Sequence, residues 1–448
     1  MFSRELHKLL VLPLLLLMLS ACSTGWMGED DEDAPLEGTR LSIMKPQTST
    51  LKLAGDREAI SIDVEGAINN QLWLQAGGNA RNNLGNVTLS GTSADDIWRA
   101  DIGADNSEGQ FNLTTPKVAL KAVFTMDADL VVRAFRMVDG EEVWETDVSI
   151  DDEDSDAVVN GGIALGDRRL FVATGHAEVL ALNPATGRVL WRRKVSAPVR
   201  SDPIVYAKKV YIMTLDNQVY ALDSKTGDEL WTYQGLSEIT GILGGGGLVA
   251  DADVVVAPFS NGEIVAFRAE TGRVLWIDSL ANRRQILNRL SNIVDIRARP
   301  VIDDGVLYVV SHANRLGTFR LEDGQRLWAR EVGSIQSPVI SGDFMYLVDN
   351  AQTVICFGKD NGKALWSSQL PAFEDMEDKE GPIFWSGPIL AGGRLVLTSS
   401  DGQVAFLNPV DGVVDQTLDL GSRFYVPAVA ALDTLLVLDD DARLTALK

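Results

Sequence analysis

The amino-acid sequence predicts an all-β protein, an eight-bladed β-propeller of four-stranded antiparallel blades whose ring closes by pairing of the N- and C-terminal strands. Three observations predict it: a recurring Gly-x-x-x-Trp unit, an apolar strand centred ten residues before each unit, and a mismatch between the two at the chain ends. The unit occurs at Gly140/Trp144, Gly187/Trp191, Gly227/Trp231, Gly272/Trp276, Gly324/Trp328 and Gly362/Trp366. A seventh copy is degraded to Gly412/Gln416, and an eighth, Ala94/Trp98, lies ahead of the others. The period averages about 45 residues, which suits a four-stranded blade.

The preceding strands are centred on Ala134, Ala181, Ala221, Ala266, Thr318, Cys356 and Phe406. An eighth such strand, around Ala446, ends the chain with no Trp after it, whereas Trp98 has no strand before it. Pairing these two orphans gives eight blades by either count and removes the exposed sheet edge. Within each unit, alternating apolar residues make a strand and a Gly supplies a turn with positive φ. The next strand carries the Trp, whose ring can be buried between sheets while its N–H finds a carbonyl. Further hairpins open at Pro203, Pro300, Pro338 and Pro388 and supply the two upstream strands. No segment has a helical period.

At 448 residues the chain exceeds one compact core, which agrees with a repeat architecture. Its net charge of −23 would repel nucleic acid and anionic lipid, and leaves a basic protein surface as the favoured partner. The acidic runs at 29–33, 151–154 and 374–378 read as solvated loops. Residues 1–21 read as a signal peptide: Arg4 and Lys8 precede a short apolar run that ends in Leu19-Ser20-Ala21-Cys22. Residues 22–60 read as a flexible tether and 61–448 as the propeller. Leu19 to Cys22 resembles a bacterial lipobox, which implies acylation of Cys22, and Ser23 then favours the outer membrane. The lipid would be the chain's only membrane attachment.

Residues that could carry chemistry are few. Cys356 falls where most other strands have Ala, so it reads as core; with Cys22 acylated it has no disulfide partner. His7, His176 and His312 are too scattered for a metal site or a catalytic triad. Gly244 to Gly247 leads into a strand and lacks the Lys-Ser/Thr of a phosphate loop. Acidic residues such as Asp139, Asp323 and Asp411 sit at turns, where turn geometry accounts for them. Trp73 and Trp385 fall outside the repeat register; of the two Trp385 is the better candidate for a surface contact, although a buried blade position is the favoured reading for it. The expectation is a non-enzyme with no cofactor and no metal.

The repeat, best seen in VYALDSKTGDELW from Val219 to Trp231, resembles that of quinoprotein propellers. Trp73 to Ala80 also looks like the opening of quinone-dependent dehydrogenases, so a pyrroloquinoline quinone and calcium enzyme stays open as an alternative, as does a periplasmic ligand-binding propeller. The lipobox, the eight units and a long segment near residue 290 together resemble the BamB family, lipoprotein propellers of the outer-membrane β-barrel assembly machinery. The 52 residues from Trp276 to Trp328 form the longest interval between units, which marks an inserted loop independently of any family. The resemblance implies a scaffold on the periplasmic side of the outer membrane that binds the POTRA domains of a BamA-like barrel protein, with nascent outer-membrane proteins as further candidates. On matching positions it implicates Arg289, Leu290, Ser291 and Asp295, although Asn292 stands where the family tends to have an acid. A second strip, Leu236 to Leu243, lacks the family's arginine; there Leu236, Glu238 and Ile239 are the candidate contacts.

Overall fold

A computed structural model describes residues 62–91, 96–106, 113–150, 161–236, 246–281 and 296–448, and among them there is no helix. Eight antiparallel sheets follow one another: blade 1 (117–147), blade 2 (162–194), blade 3 (204–234), blade 4 (249–279), blade 5 (301–330), blade 6 (339–369), blade 7 (385–419) and blade 8 (429–447 with 96–101). Blade 3 is typical. Its strands a to d are Ile204–Tyr206, Lys209–Met213, Gln218–Asp223 and Glu229–Gln234, hydrogen-bonded in that order. Strands b and c are buried almost throughout because sheets pack on both their faces, whereas strand d exposes alternate residues. The ring closes as the sequence predicts: Asp96–Asp101 pairs antiparallel with Arg443–Leu447, and Trp98 stands opposite Ala446.

The spacing of ten is a cross-strand register. Ala134, Ala181, Ala221, Ala266, Thr318 and Cys356 each stand opposite the Trp of their own unit. In five blades the same small residue also faces an aromatic ring on strand b: Phe124, Phe171, Tyr211, Tyr308 or Tyr346. The two rings lean together over it, with centroids 5.8 Å apart for Tyr211 and Trp231 and 6.0 Å apart for Tyr346 and Trp366. A large residue between them would have no room. Blade 7 reverses the sizes: Phe406 lies between Val396 and Gln416, and Arg394 covers the Phe406 ring at 4.6 Å.

Each Trp joins its blade to the next. The indole N–H of Trp98, Trp144, Trp191, Trp231, Trp276, Trp328 and Trp366 donates to a carbonyl of the following blade, respectively Met137, Pro184, Ser224, Ala269, Leu321, Lys359 and Pro409. The ring lies flat against that blade's turn glycine. A Cβ on Gly227 would sit 2.7 Å from the Trp191 ring, and φ there is +76°. The Gly and Trp of the repeat are therefore two halves of one inter-blade joint.

Residues 70–87 cross one end of the propeller axis and bond to every blade in turn. Asn70 Nδ2 donates to the Ala430 carbonyl of blade 8, and Trp73 exchanges backbone bonds with Val118 of blade 1. The Leu74 carbonyl accepts from Leu165 of blade 2, and Gln75 Nε2 donates to Val205 of blade 3. The Ala80 and Arg81 carbonyls accept from Ala250 of blade 4 and Ile302 of blade 5. Asn83 Oδ1 accepts from Ile340 of blade 6, and Asn86–Val87 pairs in parallel with Leu390 and Ala391 of blade 7. Trp73 is part of this segment, buried with its indole N–H on the Ala76 carbonyl.

One expectation needs adjustment, and one open choice is decided. The acidic stretch at 374–378 belongs to a small exposed hairpin, Phe373–Asp375 with Glu380–Pro382, rather than to an unstructured loop. Trp385 takes the favoured buried place and not the surface one: it opens the long inner strand of blade 7, and its indole N–H donates to the Pro371 carbonyl at 2.8 Å. An aromatic outside the repeat register here packs in a core cluster shared by blades 6 and 7.

Candidate functional site

The partner strips predicted from sequence lie in connections from a d strand to the a strand of the next blade. After Gln234 the chain passes through Gly235 to Leu236, whose side chain is 66% exposed. Its carbonyl is held at 2.7 Å by Asn217 Nδ2, a buried amide that also donates to Ser260 Oγ and whose Oδ1 accepts from Arg200. That network fixes the direction in which the chain leaves blade 3. Glu238, Ile239, Arg289, Leu290, Ser291, Asn292 and Asp295 lie outside the described residues, as do Cys22 and all of 1–61.

The chain beyond the two strips nevertheless converges. The chain returns after the first at Gly246 and after the second at Ile296, and the Gly246 N–H donates to the Ile296 carbonyl at 3.1 Å. A Cβ on Gly246 would stand 2.3 Å from that oxygen, so the close approach requires glycine. The family resemblance implied the two strips, spacing independently marked only the second, and neither gave a sign of this contact. Gly246 and Gly247 of the former phosphate-loop candidate therefore serve a backbone crossing, and Gly247 packs against the Arg299 side chain.

On the same side of the ring, a cavity of about 460 Å³ opens on the axis. Its wall uses one repeated position, two residues before the inner strand: Thr115, Asp202, Gly247, Arg299, Ser337 and Pro427. Sequence reasoning missed this set because no two of its members are close in the chain. Lys117 lies fully buried behind the wall, with Nζ on the Thr115 carbonyl and 3.3 Å from Asp202. Burial pushes the Lys117 pKa down, opposed by the Asp202 charge. Burial likewise lowers the pKa of Arg299, which Asp202 partly offsets.

The remaining chemical candidates stand apart from one another. Cys356 is fully buried in blade 6, and burial pushes its thiol up to about 12. His176 is half-buried in the b–c turn of blade 2, and His312 is exposed in that of blade 5. Among the described residues no three His, Cys, Asp or Glu side chains are grouped to hold a metal ion.

Comparison with known proteins fits this architecture. The family model described as outer membrane protein assembly factor BamB matches residues 128–368 and 353–448. The chain belongs to the BamB family. A BamB from Yersinia pestis is 26% identical over 76% of this chain and 85% of its own, and one from Escherichia coli K12 is 28% identical over the same shares. The crystal structure of BamB from Moraxella catarrhalis superposes with a TM-score of 0.61 at 18% identity, covering 78% of this chain and 97% of that one. A europium-containing methanol dehydrogenase superposes with a TM-score of 0.67 at 16% identity, over 82% and 89% of the two chains. The latter likeness concerns the propeller fold, which hosts binding proteins and enzymes alike.

Proposed function

We propose that this BamB-family protein is a non-catalytic scaffold in the assembly of β-barrel proteins into the outer membrane. It is held on the periplasmic side by a lipid on Cys22 and binds a BamA-like barrel protein through the loops that follow blades 3 and 4. Leu236, Ile239 and Leu290 supply apolar anchors, while Glu238, Arg289, Ser291 and Asp295 orient the partner. The observation that carries this reading is the bond between Gly246 and Ile296, which joins the return ends of two strips separated by a whole blade. The rigid ring thus brings together the points at which the chain re-enters after these two connections, and the exposed Leu236 lies where the first of them leaves blade 3.

The test is affinity purification of the barrel protein from outer membranes solubilised in mild detergent. The expected outcome is co-purification with the native chain and its loss when Arg289→Glu and Asp295→Arg are combined. Unchanged recovery with that double variant removes these residues from the interface. Cys22→Ser is expected to move the protein into the soluble periplasmic fraction.

A further inference from the structure

Eight blades perform one structural task, so a residue that departs from its seven counterparts without improving the packing of its own blade answers to another demand. Blade 3 departs at its exit. The fourth residue after the Trp, or after Gln416 in blade 7, is apolar in the other seven blades, as in the buried Val148, Leu280, Val332 and Leu370. Its N–H bonds to the positive-φ residue of the b–c turn, as Leu280 does to Gly262 and Leu370 to Gln352. Blade 3 has Gly235 in that place and keeps only the backbone bond, to Asn217. A Cβ on Gly235 would stand 2.5 Å from the ring of Phe259. Phe259 is itself buried in the b–c turn of blade 4, at a position that Asp, Ser or Thr takes in the other seven blades. Its ring takes over the space, and the apolar side chain of the blade 3 exit moves on by one residue, to Leu236.

At that fifth position the other seven blades carry Gly, Ala, Ser or Pro, whereas Leu236 is large and mostly exposed. A second leucine stands out on the segment bonded to it. Leu215, 43% exposed, is the second residue of the b–c turn of blade 3, where the other seven have Ala, Gly, Ser, His, Asn or Asp. The two segments are tied by three bonds. The Gly235 N–H donates to the Asn217 carbonyl at 2.9 Å, Asn217 Nδ2 to the Leu236 carbonyl at 2.7 Å, and Gln234 Nε2 to the Asp216 carbonyl at 2.8 Å. Asn217 is 1% exposed, has φ of +61°, and is held in turn by Arg200 and Ser260. Neither leucine serves its blade, since the backbone bonds suit any residue and an exposed side chain buries nothing. Single exposed leucines are ordinary; two on bonded segments, both missing from seven sister blades and both fixed through one buried amide, form a prepared contact.

We infer that Leu215 is a further contact residue for the barrel protein and that Asn217 is the positioning residue that sets Leu215 and Leu236 toward it, an inference that rests on the scaffold reading above. The occupant is a protein surface with an apolar depression and a basic rim. It has to receive two leucine side chains, and Asp216 in the same turn, in a chain of net charge −23, favours base around them. The contact adjoins the start of the first partner strip, so one partner covers both.

The test is the affinity of the detergent-purified full chain for the detergent-purified barrel protein, read by surface plasmon resonance, with thermal melting of each variant. The substitutions are borrowed from sister blades, whose turns already accept them: Leu215→Asn as at Asn350, Leu236→Ser as at Ser149, and Asn217→Gly as at Gly262. Leu215→Asn and Leu236→Ser should each weaken binding by about fivefold or more at an unchanged melting temperature. Leu120→Ser, at an exposed leucine in the a–b turn of blade 1 on the opposite side of the ring, should leave binding unchanged. Asn217→Gly keeps the positive φ and should weaken binding severalfold, yet add nothing once Leu236→Ser is present, because it acts through that residue. Native affinity in Leu215→Asn, while Arg289→Glu with Asp295→Arg still weakens the complex, overturns this inference and leaves the scaffold reading standing. No binding by the native chain removes both. A lower melting temperature in Leu215→Asn means that the chain itself covers Leu215, and an equal loss in Leu120→Ser means that any exposed leucine suffices; either result overturns the contact. An undiminished effect of Asn217→Gly in the Leu236→Ser background overturns the positioning role.

Discussion

Cys356 shows how much one position of the repeat decides. It lies between Tyr346 and Trp366 on neighbouring strands, in the place that Ala takes in most other blades. The site asks only for a small side chain on which two rings can rest. Cys356→Ala is therefore expected to change the unfolding free energy from urea titration by less than about 1 kcal/mol, whereas Cys356→Leu should destabilise by about 1–3 kcal/mol through overpacking. Its thiol titrates near 12, above the ordinary value, because burial disfavours the thiolate. At pH 8 the native protein then holds almost no thiolate there, and only the thiolate is reactive. Mass spectrometry after iodoacetamide treatment should find Cys356 unmodified in the native protein and alkylated once the protein is unfolded in urea. Modification of the native protein at pH 8 would contradict the assignment of Cys356 to the core.

The joint between blades separates two roles of glycine that look alike in the sequence. Gly227 has φ of +76° and lies under the Trp191 ring, while Gly305 has φ of +73° with open space where a Cβ would go. Both alanine substitutions strain the backbone by about 1 kcal/mol. Gly227→Ala must also lift the indole and lengthen its bond to the Ser224 carbonyl, so about 2–4 kcal/mol is expected, against about 1 for Gly305→Ala. Equal losses in urea denaturation would mean that the ring contact contributes nothing. This joint was legible in the sequence because both of its halves recur at fixed spacing, and the strand registers were legible for the same reason. The inverted packing of blade 7 was half legible: Gln416 showed the missing Trp and Phe406 the large residue at the strand centre, but only the structure shows Arg394 covering that ring. The convergence of Gly246 and Ile296 and the set of residues around the axial cavity were not legible, since they bring together residues whose positions are set by the closing of the ring.

At the scale of the whole molecule, closure is made twice. The pairing of Asp96–Asp101 with Arg443–Leu447 was readable from the two orphan half-units, because each lacked what the other had. The crossing segment at 70–87 was not, since side-chain amides bonding to main-chain groups of distant blades leave no periodicity. An open row of repeats interacts only with nearest neighbours and can unfold piecemeal from its ends. Here one short segment touches all eight blades, so separating any two of them breaks bonds made to both. Asn82 is the sharpest case: its Nδ2 donates to the Leu248 carbonyl at 3.1 Å and to the Pro300 carbonyl at 2.9 Å, linking the approaches to blades 4 and 5. Asn82→Ala leaves both acceptors without that donor in a buried place and should destabilise by about 1–3 kcal/mol. If the segment makes the ring one cooperative unit, calorimetry will show the entire transition moved to lower temperature, with the ratio of calorimetric to van't Hoff enthalpy unchanged. If blades 4 and 5 are held only by their neighbours, the variant will show a separate early transition and the main peak will stay in place.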